Sequence, residues 1–168
     1  ILQYVWWVLD RALDEEGVYY SALVGAIRAA LGGAGTLVDH HASPNAIRGS
    51  LANVRRGLER VGLRGVLCYE VTDRNGPDGA KQGIEENAAF LTSGCKPGWF
   101  GALFGAHAPF TLGDATLRAI AEGAEAFHWA LAAIDRPDDP PTGRCLGTRA
   151  INQLMARLQN RIVSRGYI

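Results

Sequence analysis

The first 120 or so residues alternate helix-period and strand-period text, and this predicts an α/β protein built on a parallel sheet. Three short strands are readable, at Thr36–Val38, Gly65–Val71 and Ala102–His107, with helical text between them. Strand, helix, strand in short regular units is the pattern of parallel pairing through right-handed crossovers. The strands are apolar almost throughout, as strands covered on both faces should be. Each also delivers polar groups at its C-terminal end, where parallel sheets bind ligands. Three such units make three-eighths of an eight-stranded βα barrel, or half of an open doubly wound sheet.

Each element has its own signals. Asp14 can cap a helix over residues 15–31, with Glu15 and Glu16 in the first turn favouring the positive dipole end. Val18, Leu23, Ile27 and Leu31 recur at roughly helical spacing and are expected to face inward, and Gly32-Gly33 stops the helix. After the first strand, Ser43-Pro44-Asn45 is read as the start of a second helix. Its stripe is Ile47, Leu51, Val54, Leu58 and Val61, and Gly62 ends it. The second strand leads into a polar loop from Thr72 to Asp78 and a helix over about 79–91 with Ile84, Ala88 and Leu91 inward. Asp114 is read as the cap of a further helix carrying Leu117, Ile120 and Ala124.

The last 40 residues change character. Residues 135–141 hold three prolines and three aspartates, a rigid exposed linker, and a helix is readable over about 148–165. Ile151, Leu154, Leu158 and Ile162 share one side of that helix and arginines the other. From Pro140 to Ile168 there are five arginines and no acid, leaving 12 basic and 17 acidic residues over the first 139. Opposite signs of charge argue that the two parts have different histories. The formal net charge of zero excludes a global field for nucleic acid or an anionic membrane. Three widely spaced cysteines, Cys68, Cys95 and Cys145, fit neither a disulfide framework nor a zinc knuckle, so a reducing, cytoplasmic setting is expected. No run of 18 apolar residues is present to span a membrane. The sequence opens at Ile1 inside an apolar aromatic run, which reads as an internal start.

The candidate site residues are those at the strand ends: Asp39, His40 and His41, then Glu70 and Asp73, then His107. Adjacent strand residues point to opposite faces, so His40 and His41 make a poor metal-binding pair. One of them is free to face the site while the other packs outward. His107 ends an apolar strand just before Ala108-Pro109 and could donate to or protonate a bound molecule, although a hydrogen-bonded core histidine explains it nearly as well. His128, in the helical text Ala126-Phe-His-Trp-Ala, reads as structural. GxSxG, HExxH, P-loop and post-strand GxGxxG motifs are all missing.

Four stretches together carry a resemblance: Trp6 to Glu16, Val38-Asp-His-His-Ala-Ser-Pro44, Gly65 to Arg74, and Gly105-Ala-His-Ala-Pro-Phe-Thr111. In this order and spacing, residues 1–124 resemble an internal segment of the aminohydrolases associated with selenium metabolism. These belong to the amidohydrolase superfamily, near the chlorohydrolase and deaminase group. The resemblance implies part of a TIM-type barrel, about strands 2–4. It also implies hydrolysis at carbon bonded to nitrogen or halogen by water activated on a divalent metal, zinc in the intact enzymes, with a small molecule as substrate. The family's metal ligands lie on other strands, so no metal is expected in this chain. His107, His41, His40, Asp39, Glu70 and Asp73 are then the expected substrate-side residues, and the chain alone is expected to be inactive. Residues 127–168, with Gly143-Arg-Cys-Leu-Gly147 and Ser164-Arg-Gly-Tyr167, resemble instead the polypeptide-transport-associated (POTRA) module of two-partner-secretion outer-membrane transporters.

The division expected is therefore 1–124 as the barrel segment, 125–141 as helix end and linker, and 142–168 as a basic amphipathic helix. Joining two such pieces would make the chain a chimera. The alternative function is a non-catalytic polypeptide-interaction module. A third reading is a self-contained zinc enzyme using Asp39, His41 and His107. A partial barrel leaves open sheet edges, and these invite self-association.

Overall fold

The computed structural model describes residues 1–134. The expected Pro-rich linker at 135–141, the helix over 148–165 and Cys145 lie outside the described residues. The chain divides into two units, Ile1–Ile120 and Ala121–Ile168; the architecture that follows is that of the first.

A π-helical turn, Leu2–Trp6, runs into α1, Trp7–Ala12, and then α2, Glu15–Leu31. Asp14 caps α2 as its position suggests, its side chain accepting the Gly17 N–H at 2.7 Å. The sheet is β1 (Thr36–His41), β2 (Arg64–Val71), and a third strand in two pieces, β3 (Phe100–Ala102) and β4 (Gly105–Ala106). Helix α3 (Ser50–Val61) connects β1 to β2, and α4 (Gly76–Ala89) leads from β2 towards β3. A further helix, α5, spans Asp114–Ile134.

All pairings are parallel, in the order β1-β2-β3, with β4 also on β2. Parallel strands need long crossovers, and the amphipathic text between them supplies helices of the required length. From α3, Leu51, Val54 and Leu58 pack on Leu67 and Tyr69 of β2 and on Phe100; Val18 and Ala26 of α2 complete this core. A smaller cluster joins Val71, Ala80 and Ile120.

Four expectations are corrected. Helix α3 begins at Ser50, not near Ser43, because Gly49 sits at φ 76°, a left-handed conformation that interrupts any helix begun upstream. Residues 43–46 form a turn closed by the Ala46 N–H on the Ser43 carbonyl. Helix α4 starts at Gly76, three residues early, with Pro77 in its first turn, where a missing N–H costs nothing.

The stripe expected of α2 faces inward only in its first half, at Val18 and the half-buried Leu23. Val18 and Ala26 are buried, whereas Val24, Ile27 and Leu31 are exposed. In the second half of the helix the small Ala26 is buried in place of Ile27 and Leu31, because α2 lies close against α3. A Cβ on Gly57 would stand 2.9 Å from that of Ala22.

The third strand, finally, is not continuous over 102–107. Both pieces keep one register on β2, Gly65 with Phe100 and Glu70 with Gly105. Between them the buried side chain of Asn87 on α4 takes the Tyr69 N–H at 2.7 Å and donates to the Tyr69 carbonyl at 3.0 Å. A backbone group of the ladder thus bonds a side chain instead of the neighbouring strand.

Candidate functional site at the strand ends

Register decides which way each strand-end residue points. Leu67 and Tyr69 face the helices, and their β1 partners are Asp39 and His41. His40 pairs with Cys68 and lies on the opposite face, exposed. Glu70 and His107 are also brought together, with 3.9 Å between Glu70 Oε1 and His107 Nε2. Of the six expected site residues, these two meet. Asp39 and His41 lie on the helix-covered face.

Each residue's bonding sets what it can do. Thr111 Oγ1 donates to the Ala108 carbonyl at 2.8 Å, so it accepts from His107 Nδ1 at 2.6 Å. That places a proton on Nδ1 and aims Nε2 at Glu70. Nε2 can then accept a proton from a ligand when the ring is neutral, or pair with Glu70 when it is charged. Glu70 accepts a hydrogen bond from Arg74, whose Nε also donates to Thr72 Oγ1 at 3.1 Å. The guanidinium carbon lies 4.6 Å from the centre of the Trp7 ring. Asp73 accepts from the Gly113 N–H and the Thr116 hydroxyl, both at 2.6 Å, and so holds the first turn of α5.

His41 follows the same logic on the other face. Ser43 Oγ donates to the Ala46 carbonyl at 2.9 Å and so receives His41 Nε2–H, also at 2.9 Å. Burial lowers the His41 pKa to about 4, so the ring is neutral at physiological pH. Burial likewise raises the Asp39 pKa, against the opposing charge of His40.

A pocket of about 190 Å³ opens beside these groups, lined by Trp7, Asp10, Arg11, Tyr69, Glu70 and Arg74 among others. Trp7, Asp10 and Arg11 come from α1, which periodicity did not reveal as a helix; the one signal for Arg74 was its spacing of four residues from Glu70. The Asp10 carboxylate has no hydrogen bond or ion pair among the described residues, and burial raises its pKa in spite of Arg74 and His107. Among the described residues, no three His, Cys, Asp or Glu side chains come together as a metal-ligand set. Glu70 is committed to Arg74, and His41 to Ser43 on the other face. The residues described therefore do not fit the metal that the resemblance implies, and no chemical step is assigned to a metal on them.

Parallel βα units with charged and imidazole groups at the C-terminal ends of the strands define an α/β segment of the kind that carries ligand sites. Residues 2–137 match the model of the amidohydrolase family, and the chain belongs to that family. It is 29% identical over 107 residues to a 5'-deoxyadenosine deaminase of Methanobrevibacter smithii, covering 62% of this chain and 23% of that protein. It is 27% identical over 121 residues to a 5-methylthioadenosine/S-adenosylhomocysteine deaminase of Symbiobacterium thermophilum, covering 71% of this chain and 26% of that protein. The chain thus spans about a quarter of the length of these curated relatives. No solved structure matches it significantly. No described helix is long and apolar enough to cross a membrane.

Proposed function

We propose that this chain is the substrate-side wall of an amidohydrolase that cleaves a C–N bond, possessing ligand contacts but no activated water of its own. The observation that carries this reading is the meeting of Glu70 and His107 at the strand ends, inside the family match. His107, with Nδ1 held by Thr111, is the residue assigned to touch substrate through Nε2. Asp39, His40, His41 and Asp73 are then supporting groups. The motifs at Asp39–Pro44 and Gly105–Thr111 support the selenium-associated aminohydrolase branch and a zinc cofactor in the intact enzyme, and the three widely spaced cysteines support a cytoplasmic setting. Substrates in the class of the relatives' printed names, adenosine-like compounds bearing an exocyclic amine, are the first to test.

The test is in two parts. Purified chain with added zinc is expected to release no ammonia from 5'-deoxyadenosine and to bind zinc no better than micromolar. The same chain is expected to bind 5'-deoxyadenosine measurably, and His107→Ala to weaken that binding. A tight stoichiometric zinc site lost on His41→Ala or His107→Ala, with turnover, would replace this reading with that of a self-contained enzyme. For residues 142–168, the arginine-bearing, acid-free composition supports a second, non-catalytic reading, polypeptide interaction by a POTRA-like fragment.

A further inference from the structure

We propose that the pocket enclosed by Trp7, Asp10, Tyr69 and Glu70 takes a planar, cationic nitrogen group, such as an amidinium or a protonated amino-heterocycle, with Asp10 as its counter-ion. This deepens the reading above and rests on it only for the pocket's place at the strand ends.

The charges lining the pocket differ in whether they are already satisfied. Arg74 is paired with Glu70, bonded to Thr72 and stacked on Trp7, so its guanidinium is already engaged inside the protein. The remaining Arg11 is exposed, where water screens its charge. Asp10 is different: half-buried, on the pocket wall, with no donor among the described residues. A partly desolvated carboxylate without a partner is costly, and the cost is recovered when a charged donor arrives. Burial raises its pKa in spite of Arg74 and His107 nearby.

The walls fix the shape of the ligand. Trp7, which already carries the Arg74 guanidinium over its ring, and the buried Tyr69 give the pocket an aromatic lining, and planar cations stack on aromatic surfaces. At about 190 Å³ the pocket is smaller than the roughly 300–1,000 Å³ of a whole small-molecule site. It therefore suits one ring-sized group at the end of a larger ligand.

The probe is benzamidinium chloride, titrated calorimetrically into the full chain, with neutral benzamide and anionic benzoate as isosteric controls. Benzamidinium is expected to bind saturably, benzamide more weakly and benzoate not at all. Asp10→Asn, checked for an unchanged circular dichroism spectrum, should weaken benzamidinium by about tenfold or more, the scale of one lost charge-assisted hydrogen bond. Trp7→Leu should weaken both ring probes and serves as the second variant if Asp10→Asn fails to fold. Benzoate binding as tightly as benzamidinium, wild-type affinity in both variants, or no saturable benzamidinium binding would each overturn the proposal. Because only binding is read, a lack of ammonia release, or of nucleoside binding through His107, leaves this result independent.

Discussion

His41 illustrates how neighbours fix a protonation state at the residue scale. Its ring donates to a serine that has already given its own proton away, and burial holds the pKa near 4. An unfolded chain protonates this histidine below about pH 6.5, while the folded one does not. The stability tied to the neutral ring is therefore fully present above that pH and falls as pH drops towards 4, by at most about 1.4 kcal/mol per pH unit. Asp39 works in the opposite direction, since its raised pKa makes acid less harmful to the fold. Urea denaturation between pH 7 and pH 5 should show wild type losing more stability than His41→Asn; parallel pH profiles would exonerate His41. Gly105 supplies a second residue-scale case. A Cβ there would collide with the Tyr69 carbonyl oxygen, so Gly105→Ala should cost about 1–3 kcal/mol in thermal or chemical melts. Glu70 and His107 were legible in the sequence because strand ends are predictable from apolar runs. Asp10 and Trp7 fell inside the stretch Trp6 to Glu16 that carried the resemblance, but no periodicity announced α1, and their position beside β2 is a fact of tertiary packing.

Among the elements, α4 does more than cover the sheet. Its buried Glu86 accepts the Gly49 and Leu51 N–H groups at 2.7 and 3.0 Å, capping α3 from a different helix. A sequence reader looks for a cap just before a helix, and here Gly49 offers no side chain, so the expected start slipped to Ser43. Glu86→Ala leaves those donors buried without a partner and should destabilise by about 1–3 kcal/mol. Glu86→Gln, which keeps one acceptor oxygen, should cost less; equal losses would mean that packing rather than capping matters. The gap between β3 and β4 was invisible for the same reason. Nothing in Ala102–His107 announces a break, since its cause is Asn87, about 15 residues earlier.

For the whole molecule, the parallel order β1-β2-β3 and the shared end of the sheet were readable from three apolar runs and their polar termini. The buried face of α2 was readable only in its first half, at Val18 and Leu23; further on, close helix approach buries Ala26 and leaves Ile27 and Leu31 exposed. Among the described residues β1 is paired along one edge, and Val38 is 74% exposed on its open face. Light scattering is expected to report concentration-dependent association that Val38→Lys diminishes, as charge on an edge strand opposes pairing; a monomer at all concentrations would refute it. The adjacency of Glu86 and Asn87 has a kinetic meaning as well. Two consecutive side chains tether one helix to both the start of α3 and the middle of β2. Any fluctuation that lifts this turn of α4 frees amides in both places at once. Amide hydrogen exchange at Leu51 and Tyr69 should then proceed at matched opening free energies, marking a single cooperative unit within the sheet and its crossover helices.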